Sequence, residues 1–141
     1  MKNIVPYLFF YGQCQQALDF YCRVFNGTVS LRTTFAQAPQ AIPGVNPSHI
    51  MHAEFKADGL FFMASDGLQG ELTSQHTHNQ VCLNVQFDSE QEQLEAYQAL
   101  SESGEIDMAL QETFWGAKFA QITDEFGIKW MLNYQLSQQH E

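Results

Sequence analysis

Apolar and polar residues alternate in two paired segments, one near the end of each half of the chain. Such alternation predicts β-strands with one buried face, and a turn between two such strands predicts a hairpin. The later pair is Lys118 to Thr123 and Ile128 to Asn133, joined by Asp124-Glu125-Phe126-Gly127. The earlier pair is Ile50 to Lys56 and Leu60 to Ser65, joined through Asp58-Gly59. The repeated hairpin indicates that one unit occurs twice.

A strand and a helix precede each hairpin. After an apolar strand from Ile4 to Tyr11, apolar residues recur at helical spacing at Cys14, Ala17, Leu18, Tyr21, Cys22 and Phe25. We predict that Gly27 ends this helix in the left-handed conformation. In the second half, Val81 to Phe87 alternates, Ser89 and Glu92 form a capping-box signature, and the next helix ends at Gly104.

The spacing between the two copies is nearly constant. Gly27 and Gly104 are 77 residues apart, and the hairpin glycines Gly59 and Gly127 are 68 apart, because the first copy has a longer loop at residues 36–48. Each copy therefore reads β, α, β, β, β. This predicts an α+β fold in a single domain over residues 1–141, with module one at about 3–66, a linker at about 67–79 and module two at about 80–134.

The composition of the chain limits the expected binding partners and the expected cellular compartment. The chain has 6 basic and 16 acidic residues, a net charge of −10, and no basic stripe, so we expect neither a nucleic acid nor an anionic membrane as a partner. No apolar run is long enough to span a bilayer, and the first residues lack the length and cleavage site of a signal peptide. With three cysteines and no predicted disulfide, we expect a cytoplasmic protein.

Several short strings point to a family. The strings PYLFFYG, ALDFY, MHAEF, FWG and DEFGIKW, placed on two βαβββ copies, resemble the vicinal oxygen chelate superfamily of glyoxalases, bleomycin-resistance proteins and extradiol dioxygenases. The closest resemblance is to its PhnB-like branch. The resemblance implies an open, cup-shaped sheet of eight strands with helices outside, a cavity for a small organic molecule, and a homodimer. Some members of the branch carry a ubiquinone-methyltransferase label, but this sequence shows no glycine-rich strand-to-helix turn for a nucleotide-like cofactor.

Metal-dependent members of the superfamily hold an ion with one ligand from each of four strands. The matching positions here are Pro6, Met63, Cys82 and Met131, with a register good to about one residue. The usual divalent ions need His, Glu, Asp or Gln donors, and this set supplies none of them. A shifted register would bring in Gln80, which does not hold a metal alone, and two thioethers with a thiol suit only Cu(I). We therefore expect no cofactor, although a divalent metal at other residues stays open.

The segment IMHAEFK holds the main candidates for chemistry. Side chains alternate along a strand, so His52 and Glu54 share one face while Met51, Ala53 and Phe55 share the other. The pair lies about 7 Å apart by strand rise, close enough for Glu54 to influence the imidazole or share a ligand with it. The pair is a candidate general base with its orienting group. The alternative is a structural pair on a solvent-exposed face or at a dimer seam.

Other candidates are weaker. Asp66 either caps a turn or faces the cavity mouth, and Trp115, before Gly116, either closes over a ligand or packs in a core or dimer contact. Met63, Cys82 and Met131 are further candidates for lining a ligand site. The loop histidines His49, His76 and His78 have no third ligand at a defined spacing and are expected to be solvated.

Three classes of function fit these features. The first is a binding protein that holds a small organic molecule in the cup without a metal centre. The second is an enzyme of lyase, isomerase or transferase type that uses His52 and Glu54. The third is a metal enzyme whose ligands are His52, Glu54 and a loop histidine.

Overall fold

A computed structural model describes residues 1–68 and 81–136 of the chain. The chain divides into two compact units, Met1–His76 and Thr77–Glu141, and each contains one predicted module. The helices and strands of the described residues are β1 (Tyr7–Phe9), α1 (Cys14–Phe25), β2 (Thr28–Thr34), β3 (Ile50–Ala57), β4 (Leu60–Ser65), β5 (Leu83–Phe87), α2 (Glu90–Ser103), β6 (Glu105–Glu112), β7 (Ala117–Thr123) and β8 (Lys129–Gln135), with a 3₁₀ turn at Phe35–Gln37.

Each module forms a four-stranded mixed sheet, and the two sheets have the same topology. The strand orders are β1-β4-β3-β2 and β5-β8-β7-β6. The first pair in each order is parallel and the other two pairs are antiparallel. The predicted α+β class with two βαβββ modules is therefore confirmed, and the eight strands are hydrogen-bonded as four and four. No helix in the two described ranges combines the length and apolar character needed to cross a bilayer.

Helix α1 forms the core of module one by covering one face of its sheet. Its apolar stripe is buried at Cys14, Ala17, Leu18 and Tyr21, as predicted. The Tyr21 ring meets Phe62 edge-on with centroids 5.7 Å apart, and Phe55 stacks on Phe62 at 4.8 Å. Burying one such side chain stabilises the fold by roughly 1.5–3 kcal/mol. The sheet face that carries Phe55 and Phe62 is thereby closed to ligands.

The end of α1 differs from the prediction. The left-handed residue is Asn26, with φ 55°, and Gly27 lies outside that region. Asparagine is one of the few residues that enters this conformation at low cost, because its short polar side chain bonds locally. Gly27 is needed for space instead, since a Cβ there would lie 2.5 Å from Phe55 Cζ and 2.8 Å from the carbonyl oxygen of Lys56.

Module two repeats this plan with different side chains. The Ser89 hydroxyl accepts the backbone N–H of Glu92 at 3.2 Å, which confirms the predicted N-cap. Asp124 fixes the last hairpin, because its Oδ1 accepts the N–H groups of Phe126 and Ile128 and its Oδ2 accepts the Trp130 indole N–H at 2.8 Å. Leu100, Ile122, Trp130 and Leu132 are fully buried in its core.

The strand registers relate the two copies residue by residue. Tyr7 is the partner of Met63 on β1 and β4, and Asn84 is the partner of Met131 on β5 and β8. The spacing of 77 residues seen between the glycines therefore extends to the first strands. The predicted equivalence of Pro6 with Cys82 is wrong by one residue, because the alternation of residues 81–87 does not fix where β5 begins.

Candidate functional site

The candidate site lies on the sheet of module one, on the face that α1 does not cover. We call this face the open face of module one. It carries Tyr7, Phe9, His52, Glu54 and Met63. Strand alternation explains this set, because Ala53 and Phe55, between and after the polar pair, are fully buried on the helix side. Met63 of β4 is the register partner of both Tyr7 and Glu54, so these three side chains lie in one row across the sheet. The predicted shared face of His52 and Glu54 is confirmed.

Three of these side chains form a hydrogen-bonded chain. Tyr7 Oη lies 2.7 Å from His52 Nδ1, and His52 Nε2 lies 3.5 Å from Glu54 Oε2. The side chains of His52 and Glu54 are 30% and 29% exposed, so solvent or a ligand can reach both. The imidazole is thus held between a phenol and a carboxylate, each bound to a different ring nitrogen.

The phenol of Tyr7 holds its proton more firmly than a free tyrosine does. Partial burial of the phenol, followed by its electrostatic interaction with the ionisable thiol of Cys14, raises the pKa of Tyr7 above its usual 10.0, and a hydrogen bond with Ser65 offsets part of that rise. The phenol donates to Nδ1 in the tautomer that carries its proton on Nε2, toward Glu54, and it accepts from Nδ1 in the other tautomer. A carboxylate that fixes the tautomer and orientation of a histidine is a common arrangement in general acid–base sites.

Tyr7, which lies 45 residues from His52 along the chain, is not among the predicted site residues. Strand β4 separates β1 from β3 in the sheet, so no local pattern links the two residues. The available signal was the alternation of the PYLFF strand, which places Tyr7 and Phe9 on one face. Those aromatic side chains are 40% and 46% exposed, which is unusual for large apolar groups next to a buried core.

Asp66 is a buried residue whose carboxylate binds backbone groups. It is 2% exposed, and its carboxylate accepts the backbone N–H groups of Gly12, Cys14 and Ile50 at 2.7 to 2.8 Å. It therefore joins the loop before α1 and the first residue of β3 to the end of β4. Its position next to the open face supports the geometry of that face, and its oxygens point into the backbone.

The predicted metal positions do not form a coordination set in either module. The Pro6 carbonyl accepts the N–H of Met63 at 2.9 Å, and the thioethers of Met63 and Met131 lie in register with a phenol and an amide, those of Tyr7 and Asn84. Thioethers do not suit the divalent ions bound in the superfamily, and one amide does not hold such an ion alone. Among residues 1–68 and 81–136, no group of three or more His, Cys, Asp or Glu side chains is placed to hold an ion. His76, His78 and Gln80 lie outside the described residues.

Trp115 lies in module two, in the turn before β7. Its indole is 53% exposed and packs edge-on against Phe119 at 5.9 Å, while the neighbouring Phe114 is 97% exposed. Gly116 has φ 86°, so it supplies the left-handed residue that lets this turn close. The turn presents two aromatic side chains to its surroundings, which leaves both predicted roles of Trp115 open.

Comparisons with known proteins agree with this fold. Residues 2–133 match the family described as 3-demethylubiquinone-9 3-methyltransferase. Protein YjdN of Escherichia coli is 29% identical over 138 residues, covering 91% of this chain and 92% of its own. The structure of protein PA1353 from Pseudomonas aeruginosa has a TM-score of 0.84 and 31% identity, covering 97% of this chain and 100% of its own.

Two further solved structures widen the comparison. A protein from Bacillus cereus, described as a putative 3-demethylubiquinone-9 3-methyltransferase, PhnB protein, has a TM-score of 0.78 and 24% identity, with coverage of 94% and 99%. A glyoxalase-related enzyme from Fulvimarina pelagi shares the fold, with a TM-score of 0.64 at 13% identity and coverage of 96% and 89%. The chain therefore has the fold of these two proteins and belongs to the family described as 3-demethylubiquinone-9 3-methyltransferase.

Proposed function

We propose that the protein binds a small organic molecule on the open face of module one and does so without the metal centre of its superfamily. The hydrogen bond of 2.7 Å between Tyr7 and His52 carries this proposal. It holds polar groups of defined orientation beside the exposed ring of Phe9 and the thioether of Met63. Binding sites for small molecules combine apolar walls with a few oriented polar groups in this way.

The chemistry of the face indicates the kind of ligand. The rings of Tyr7 and Phe9 lie 5.1 Å apart at an angle of 30°, so they offer a partly aligned aromatic surface. His52 and Glu54 beside them can donate to or accept from an oxygen of the ligand. A planar ring that bears hydroxyl or carbonyl oxygen satisfies both parts of the face, whereas a purely apolar ring leaves the polar chain unused.

A second candidate function is acid–base catalysis on such a ligand. The hydrogen-bonded chain from Tyr7 through His52 to Glu54 favours it, because a histidine held between a phenol and a carboxylate can pass a proton along the chain. Methyl transfer, which the family description names, has less support in this chain. The connection from β1 to α1 contains one glycine, Gly12, whereas a nucleotide-like cofactor is usually held by a glycine-rich turn there.

Binding can be tested with simple aromatic probes. Catechol, 4-hydroxybenzoate and toluene are titrated into the protein, with chemical-shift changes of the backbone amides as the measurement. We expect the two oxygenated rings to shift amides of β1, β3 and β4 and toluene to bind more weakly. His52→Gln, which keeps a hydrogen-bonding group, should weaken binding less than His52→Ala, for which we expect about tenfold.

Matched variants separate the site from general effects. Tyr97→Phe, His49→Gln and Glu102→Gln remove the same groups from positions off the open face, and each should leave binding unchanged. If His52→Ala and His49→Gln bind the probes equally, the chain of Tyr7, His52 and Glu54 is structural and the proposed site is wrong. Turnover that His52→Gln abolishes while binding persists would select the catalytic function over simple binding.

A further inference from the structure

Module two contains a cavity of about 240 Å³, formed within this unit alone. It lies at one end of the sheet face that carries Met131, and its walls are formed by Cys82, Asp107, Gln121, Ile122, Lys129 and Trp130. At about 30 Å³ per water in the liquid, the volume corresponds to about eight waters, and therefore to a ligand of about eight non-hydrogen atoms.

Two opposite charges border this cavity, and a hydroxyl separates them. Lys129 Nζ donates to Thr123 Oγ1 at 3.0 Å, and Thr123 Oγ1 donates to Asp107 Oδ2 at 2.6 Å. Within the described ranges, the ion pairs closer than 4.0 Å are His52 with Glu54 and Lys118 with Glu90. Lys129 therefore has no direct carboxylate partner there, although the chain has 16 acidic residues against 6 basic ones.

The charged residues are specific to module two. Asp107 is the extra residue of a β-bulge, because Ile106 opposes Ile122 and Met108 opposes Gln121. Module one has the same bulge between Val29 and Leu31, but its extra residue is Ser30. The residue that matches Lys129 in module one, by the spacing of 68 that relates Met63 to Met131, is Phe61. The repeated bulge thus carries an acid in module two only, and the base at the start of β8 also occurs in that copy only.

These observations suit a ligand with two charges. An ammonium can donate several hydrogen bonds, and Lys129 uses one of them on Thr123, so a carboxylate can accept another. Asp107 accepts from Thr123 through Oδ2, and its second carboxylate oxygen can accept from a ligand ammonium. A ligand with only a negative charge would be repelled by Asp107, and a ligand with only a positive charge would be repelled by Lys129. We propose that this cavity binds a small molecule of the α-amino-acid class, with its carboxylate at Lys129 and its ammonium at Asp107.

Calorimetry with three matched probes tests the proposal. L-Valine carries both charges in eight non-hydrogen atoms, isovalerate lacks the ammonium, and isobutylamine lacks the carboxylate. We expect L-valine to bind at least about tenfold more tightly than either partial probe, which corresponds to about 1.4 kcal/mol. Equal affinity for valine and isovalerate, or no binding of valine at about 10 mM, would overturn the proposal.

Variants assign the binding to these two residues. Lys129→Gln and Asp107→Asn should each weaken L-valine binding at least about tenfold, while Lys56→Gln and Glu102→Gln, which neutralise exposed residues outside the cavity, should not change it. His52→Gln should also leave valine binding unchanged, because the proposal does not depend on the open face of module one. Loss of valine binding in Lys56→Gln as well as Lys129→Gln would show a general charge effect and contradict the site.

The reaction rate of the Cys82 thiol can report on ligand binding while every residue that lines the cavity is kept. In a Cys22→Ser background, Cys82 is the thiol expected to react with iodoacetamide, because Cys14 is fully buried. We expect saturating L-valine to slow that reaction and isobutylamine to leave the rate unchanged. An unchanged rate with bound valine would place the ligand elsewhere and refute the assignment.

Discussion

At the scale of single residues, the buried carboxylates do most of the positioning. Asp66 in module one and Asp124 in module two are 2% and 4% exposed, and each accepts at least two backbone N–H groups. Hydrogen bonds from backbone amides to a carboxylate are stronger than neutral ones and are costly to lose inside a protein. These two side chains hold loops that sequence patterns describe only as turns.

Asp66→Asn should destabilise the protein by about 2–3 kcal/mol, because the new amide group places a donor against backbone donors. Urea unfolding followed by circular dichroism measures the change. Asp58→Asn, in the exposed turn between β3 and β4, is the matched control and should lie within about 0.5 kcal/mol of the parent. Equal stability of the two variants would show that Asp66 does not join these segments.

The Cys14 thiol makes the free energy of unfolding depend on pH in the alkaline range. Burial, followed by the charge of Asp66, raises the pKa of Cys14 far above its usual 9.0. Below about pH 9 both the folded and the unfolded chain keep this proton, so the contribution is constant. Above it the unfolded chain alone loses the proton, and the free energy of unfolding falls by about 1.4 kcal/mol per pH unit from this group.

Comparison with Cys14→Ala isolates that dependence. The variant should be less stable at pH 8 because it leaves a small cavity, but its free energy of unfolding should fall less steeply between pH 8 and pH 10. Urea unfolding at several pH values provides both curves. Parallel curves for the parent and the variant would show that Cys14 keeps its ordinary pKa in the folded chain.

At the scale of elements, the strands and helices follow from periodicity, whereas the site depends on how strands are ordered. The bounds of α1 and the β3–β4 hairpin agree with prediction because each is set by a local stripe and a turn residue. The link between Tyr7 and His52 was not predictable from these patterns, since it requires β4 to lie between β1 and β3. Asn26 and Gly27 show a similar limit, because both can adopt the left-handed conformation and only packing against Phe55 distinguishes them.

Two glycines at equivalent positions test the repeat. A Cβ on Gly104 would lie 2.5 Å from the carbonyl oxygen of Thr123, and one on Gly27 would lie 2.5 Å from Phe55 Cζ. Gly104→Ala and Gly27→Ala should each cost about 1–3 kcal/mol, because backbone and core atoms must move. Gly59→Asn, in an open turn with φ 78°, should cost less because asparagine tolerates that conformation. Thermal unfolding ranks the three, and an inverted order would contradict the close-packing argument.

At the scale of the whole molecule, the chain combines strong acidity with exposed aromatic side chains. The net charge of −10 disfavours contact with phosphate backbones, and Phe9, Phe114 and Trp115 remain open on the isolated chain. Exposed apolar groups of this size often mark surfaces that contact another molecule. The resemblance of the sequence to the vicinal oxygen chelate superfamily implies a second copy of the chain as that molecule.

We expect a homodimer, with a mass twice the 16.1 kDa of the chain. Light scattering at micromolar concentration measures the mass. The double variant Phe114→Ser, Trp115→Ser should shift the distribution toward the monomer if the turn before β7 is covered in the dimer, and Leu68→Ser, also exposed, is the control. A monomeric parent chain would contradict the expectation.

The bulge shared by β2 and β6 has a consequence for how the chain tolerates change in length. Each bulge adds one residue to a strand whose side chains alternate between two faces. Val29 and Leu31 pair with the consecutive residues Phe55 and Glu54, so deleting Ser30 would leave the remaining pairs and their faces unchanged, and the same holds for Asp107. Either position can therefore be substituted, or even deleted, at less cost than a paired strand residue, which makes these the places where one copy can diverge from the other without loss of the sheet.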